Sequence, residues 1–146
     1  GVDGAEAWRG GRVATKGTAI PTGTSFPQAS ELQCSTMLLG WSTGTGEASS
    51  SLKALLMTFN KEKGFGGTNR GRYSNAKVDA LTEEALQTVD DVKRSAYLQR
   101  ATELVINETG VIPLHFQVNT WAARDGITYV PRVDETTLAW KFKPRP

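Results

Sequence analysis

Three groups of residues carry the chemistry open to this chain. Ser49, Ser50 and Ser51 are adjacent hydroxyls and His115 is the sole histidine. A serine nucleophile with His115 as its base would make a small serine hydrolase, provided the fold brings the two together; in its β-rich run, His115 reads first as structural. Gly44-Thr45-Gly46 ahead of a helix hints at a phosphate cradle, but Ser49 stands where the dinucleotide fingerprint needs its third glycine, and no P-loop lysine follows. The third group is the run Met37-Leu38-Leu39-Gly40-Trp41-Ser42-Thr43-Gly44-Thr45-Gly46-Glu47. Here an apolar stretch opens into small polar residues, the pattern of a buried strand leading through a ligand-binding loop to a helix start. Trp41 offers a flat apolar face and one N–H donor, which suits an amphipathic ligand and equally suits a plug in a core.

The remaining reactive groups read as structural. Cys34 is the single cysteine, so neither an internal disulfide nor a cysteine-pair metal motif is possible. It has no cationic neighbours in sequence and reads as a small buried residue. Glu83 with Glu84, and Asp90 with Asp91, are adjacent on helices and serve as solvated faces or caps. Asn107-Glu108-Thr109 is a formal glycosylation sequon, meaningful only in a eukaryotic secreted protein. No catalytic constellation emerges, so the chain reads as a binding module and not an enzyme, with no cofactor implied.

Several elements must position these groups. Residues 1–30 are rich in Gly and Thr and punctuated by Pro21 and Pro27, which predicts loop with one short edge strand over 13–20. A buried strand is expected over 36–40. Ser49, Ser50 or Ser51 caps a helix whose stripe is Leu52, Leu55, Leu56 and Phe59. Ser74 or Asn75 caps a second helix with Val78, Leu81, Thr82, Ala85 and Val89 on one face. Asp90 or Asp91 caps a third, with Tyr97, Leu98, Ala101, Leu104 and Val105 on its face and Gly110 expected at the left-handed position after its end. From residue 111 the period changes to alternation, predicting strands over 111–118, 127–130 and 137–142, with a turn at Asp125-Gly126.

At 146 residues, 38% hydrophobic and 22% charged, the chain fits one soluble domain. Its 17 Lys and Arg against 15 Asp and Glu are scattered apart from Lys141, Lys143 and Arg145, too few to argue for nucleic acid. No apolar run approaches the length of a membrane span, and the first residues lack a basic-then-apolar leader.

Taken together, three stretches resemble one family. They are Leu38-Leu39-Gly40-Trp41 with its Gly-Thr-Gly-Glu-Ala-Ser-Ser sequel, Asn69-Arg70-Gly71-Arg72-Tyr73-Ser74-Asn75 with the helix after it, and the run from Val111 through His115 to Trp121. Their order and spacing resemble the C-terminal part of the extracellular solute-binding proteins of the peptide/nickel ABC-transporter class. The resemblance implies an α/β fold of the type II periplasmic-binding-protein kind, a C-terminal lobe with a mixed sheet and flanking helices, incomplete relative to the two-lobe whole. Residues 1–110 would belong to the second lobe and 111–146 would cross the hinge toward the first. It further implies a periplasmic or extracellular location, an ABC-transporter permease as partner, and a small polar solute or oligopeptide as ligand. The ligand residues it implies are Trp41, Ser42, Thr43, Gly44, Thr45, Arg72, Asn119 and Trp121. Peptide-binding members carry an aspartate shortly after the Gly-Trp pair to receive an α-amine. This chain has Gly44 there and no carboxylate before Glu47, which argues against a free-amine ligand. An orphaned lobe acting as an interaction protein is a further alternative.

Overall fold

The computed structural model describes residues 17–118, 120–132 and 134–145. Helix α1 (Thr22–Ser30) comes first, then α2 (Ala48–Ser51), which runs on into a π-helical turn at Leu52–Leu56. Helices α3 (Ala76–Gln87) and α4 (Asp91–Asn107) follow, and a 3-10 turn at Ala139–Lys141 precedes the chain end. Strands β1 (Ile127–Thr128) and β2 (Lys143–Pro144) pair antiparallel, Ile127 opposite Pro144 and Thr128 opposite Lys143. The described residues are thus a helical assembly with one small two-stranded sheet. No described helix is long and apolar enough to cross a membrane.

The core follows from the two amphipathic helices. Antiparallel α3 and α4 pack along their length, with α2 and its π turn across them. Leu52, Val78, Ala85, Leu98, Ala101 and Val105 form one buried cluster. Two of the three expected caps form: Asn75 Oδ1 accepts from the Lys77 and Val78 amides, and Asp90 Oδ1 accepts from Lys93 N at 3.0 Å, whereas Ser49, Ser50 and Ser51 lie inside α2, whose N-cap position is Glu47 with no side-chain cap bond. Each cap satisfies first-turn donors that the helix itself cannot pair.

Helix α4 ends differently from the expected pattern. Thr109, not Gly110, takes the left-handed conformation (φ 58°), while Gly110 N donates to Val105 O and Thr109 N to Ile106 O. This is the Schellman arrangement with glycine one place further on. The reason is steric: a Cβ on Gly110 would stand 2.8 Å from the Tyr73 ring. The ring's hydroxyl donates to Glu108 Oε2 at 2.7 Å, and Asn75 Nδ2 donates to both oxygens of the same carboxylate. Tyr73, Asn75 and Glu108 therefore tie the start of α3 to the end of α4.

That triad makes stability pH-dependent at both extremes. Burial and the Glu108 carboxylate push the Tyr73 phenol from its ordinary 10 up to about 12. The fold thus favours the neutral phenol; its contribution is complete below pH 10 and fades as pH rises toward 12. Donation from Asn75 and Tyr73 holds Glu108 below its ordinary 4.5, so its contribution is present above that pH and is lost on acidification. Chemical denaturation across pH should show alkaline loss of stability in that window, and Tyr73→Phe should abolish that alkaline limb while only reducing the acid limb, which the Asn75 donation still supports.

Other expectations from sequence are corrected by the structure. Residues 36–40 are irregular, because no neighbouring strand among the described residues pairs with them. The stretch 111–118 also carries no strand pairing, and its alternating apolar side chains are exposed, Phe116 completely. The strand expected over 127–130 shrinks to two residues, and that over 137–142 is replaced by the 3-10 turn with β2 beyond it. The helix carrying Leu52 stops at Leu56, leaving Phe59 outside its stripe, and Val89 lies beyond α3. Of the edge strand expected over 13–20, residues 13–16 lie outside the described residues and 17–20 are irregular. Cys34 is exposed, not buried. Helix α1 forms despite Pro27, with Arg70 4.5 Å from the centre of the Phe26 ring and donating through Nε to Ser30 Oγ.

Candidate functional site

Five of the expected ligand residues fall in the loop of residues 41–46. Trp41 is 44% exposed. Among the described residues no hydrogen bond reaches Trp41, Ser42, Thr43 or Gly44, and Thr45 Oγ1 receives only a long one, 3.4 Å, from Glu47 N. Gly46 turns the chain with φ 70°. The loop therefore presents an indole and three hydroxyls with no carboxylate among them.

Each end of the loop is held. At the start, a methyl placed on Gly40 would meet Gln117 Oε1 at 3.4 Å, so residue 117 lies against the Gly-Trp pair. This brings together two of the stretches that carry the family resemblance. At the other end, the Glu47 carboxylate accepts from Arg94 Nη2 at 2.5 Å and from Ser49 Oγ at 2.6 Å. Those donors, Ser49 foremost, keep Glu47 below the ordinary carboxylate value. An open groove of 610 Å³ starts at Gly46, Glu47 and Ala48 and runs along α4 past Leu98, Thr102 and Ile106. Its volume is in the range of small-molecule sites.

Other expected site residues lie elsewhere. Arg72 donates to Ser30 O at 3.2 Å and sits 5.8 Å from the centre of the Phe59 ring. Trp121 packs at 6.4 Å on Tyr129, which in turn stacks on Phe142 at 4.6 Å. No hydrogen bond, ion pair or ring contact joins Arg72 or Trp121 to the Trp41 loop among the described residues. Asn119 lies outside the described residues. Ser49 is buried and spends its hydroxyl on Glu47, His115 is exposed, and among the described residues no hydrogen bond joins Ser49, Ser50 or Ser51 to His115. Among the described residues no three His, Cys, Asp or Glu side chains gather as metal ligands.

The second resemblance stretch serves architecture. Asn69, 4% exposed, donates to Met57 O at 2.9 Å and Tyr73 O at 2.7 Å and accepts from Tyr73 N at 3.1 Å. Thr58 N and Oγ1 both donate to the Asp79 carboxylate, at 2.8 and 2.5 Å. These contacts fasten residues 57–75 to α3. Sequence reasoning missed Arg94, since an arginine on the polar face of an amphipathic helix gives no periodic signal.

An exposed loop and an open groove on a helical core describe a surface that a ligand can reach. The comparisons with known proteins point the same way. The chain is 28% identical over 110 residues to the probable deoxycholate-binding periplasmic protein YgiS of Escherichia coli, covering 75% of this chain and 19% of that protein. It is 29% identical over 91 residues to heme-binding protein A of Haemophilus influenzae, covering 62% of this chain and 16% of that protein. The chain thus spans less than a fifth of the length of the curated relatives it matches. Both relatives are named for binding a molecule, and neither for catalysis. No protein-family model matches the chain, and no solved structure matches it significantly.

Proposed function

We propose that this chain is the C-terminal portion of a periplasmic solute-binding protein of the peptide/nickel class, delivering its ligand to the permease of an ABC importer. In this reading residues 1–110 belong to a type II second lobe, residues 111–146 cross toward the first, and the ligand is held between the lobes. The observation that carries it is the unspent loop: Trp41 half-exposed, with the Ser42 and Thr43 hydroxyls unbonded among the described residues. Hydroxyls open to solvent beside an indole suit a ligand that replaces their water.

The same loop narrows the ligand class. With no carboxylate before Glu47, and Glu47 neutralised by Arg94, a free amine finds no counter-charge. An indole beside hydroxyls fits an amphipathic solute with a rigid apolar body and a few polar groups. Deoxycholate and heme, named for the two relatives, are both of that kind. This departs from the small polar solute or oligopeptide that the family resemblance implies.

Equilibrium dialysis of the protein at its native length against deoxycholate, heme and a free-amine tripeptide tests this. Saturable binding of deoxycholate or heme, tighter than that of the tripeptide, is the expected result. Binding of none of the three, with a serine-directed probe labelling Ser49, Ser50 or Ser51, would sink the import reading in favour of the hydrolase.

A further inference from the structure

We infer that Glu47 and Arg94 form a latch that fixes the loop of residues 41–47 on the helical core, making them positioning residues for the binding surface; this rests on the reading of that loop as the ligand site. Three observations carry the inference. The loop has almost no internal hydrogen bonding, its one bond being the long contact from Glu47 N to Thr45 Oγ1. Gly46, with φ 70°, lies immediately before Glu47 and makes there the left-handed turn that joins loop to helix. At that joint a single carboxylate oxygen, Glu47 Oε2, receives both the Arg94 guanidinium and the Ser49 hydroxyl.

The partners come from positions 47 residues apart, so the contact joins loop to core and does not merely decorate one helix. Arg94 has a buried Nε without a hydrogen-bond partner, and Glu47 is the ion-pair partner that orients its guanidinium. Each side chain is about one-third exposed, 33% for Arg94 and 32% for Glu47, which places the pair between a solvated surface pair and a buried one. Charge-assisted geometry at 2.5 Å puts it at the stronger end of that interval. Glu47 also lies where the Trp41 loop meets the groove along α4, so releasing it alters both surfaces together.

The test combines backbone ¹⁵N relaxation of the 146-residue chain with calorimetric titration of deoxycholate into the native-length protein. In Glu47→Gln and Arg94→Met, order parameters over 41–47 should fall from rigid values near ~0.85 toward ~0.6, while α3 and α4 stay unchanged. The double variant should move the loop no further than either single one, and Arg94→Lys should restore most of the order. Deoxycholate affinity should drop about tenfold in each single variant. Unchanged order parameters over 41–47, or an equal loss across both helices, would overturn the latch. Loosening of the loop with no deoxycholate binding by the unaltered protein would uphold the latch and refute the ligand reading on which its positioning role rests.

Discussion

Gly66→Ala is expected to destabilise the chain by about 3 kcal/mol or more, through left-handed backbone strain and a steric clash acting together. Gly66 has φ 62°, and a Cβ built on it would stand 2.4 Å from Met57 O and 2.8 Å from Phe59 N and Cα. Those neighbours are backbone and cannot swing aside. Met57 is fully buried, and the segment it begins carries the antiparallel bridge between Asn60 and Phe65. Gly66 N also donates to Lys53 O at 2.8 Å, while Thr68 N and Oγ1 donate to Ala54 O. The loop thereby caps carbonyls in the last turn of the first core helix, groups that would otherwise go unpaired. Any shift that relieves the clash breaks these bonds. Urea denaturation monitored by far-UV circular dichroism checks this, and a loss under about 1 kcal/mol would show that the loop yields at the ordinary left-handed cost alone.

Asn69→Ala is expected to cost about 2–5 kcal/mol, since it strips three hydrogen bonds from a buried site. The carbonyls of Met57 and Tyr73 and the amide of Tyr73 would lose their partner together. The cavity left is small, so unsatisfied backbone groups dominate over lost packing. Asn69→Asp keeps an acceptor for Tyr73 N but removes both donations, and should fall at least as far at neutral pH, where a buried carboxylate would face two carbonyl oxygens. Denaturation midpoints of the two variants measure this. Full stability in Asn69→Ala would mean that residues 69–73 hold their shape without the side chain.

These two positions show what the sequence could and could not reveal. The periodic faces of α3 and α4 were legible because Val78, Thr82, Ala85, Leu98, Ala101 and Val105 recur at helical spacing and all enter the core. Their caps were legible because Asn75 and Asp90 act within three residues of themselves. The strands were not legible in the same way. Alternation around Phe116 marks an extended segment, but a strand exists only where a second segment supplies its hydrogen bonds. Helix α1 was hidden by Pro27 and by few apolar residues, and its anchors, Arg70 and Arg72, lie 40 and 42 residues away from Ser30.

Of the candidate site, the residue types are legible in the sequence and their partners are not. Trp41 and Ser42 are exposed and carry no hydrogen bond among the described residues, and the absence of a carboxylate between Trp41 and Glu47 is a plain sequence fact. Arg72 was chosen for its charge, yet it is engaged by Ser30 and Phe59. The Asn69 to Asn75 motif carries the family resemblance, and its asparagines brace α3 against the loop before it. Motif spacing alone does not distinguish a brace from a binding residue; only the partner does.

The central claim, that the Trp41 loop binds an amphipathic solute, is tested most directly by titrating deoxycholate into the native-length protein and its Trp41→Ala variant by calorimetry. Trp140→Ala serves as the control, since Trp140 is also largely exposed but belongs to the 3-10 turn near the chain end. The account expects saturable binding weakened at least about tenfold by Trp41→Ala, in keeping with loss of an aromatic anchor, and unaltered by Trp140→Ala. Equal affinity in the unaltered protein and Trp41→Ala would contradict it.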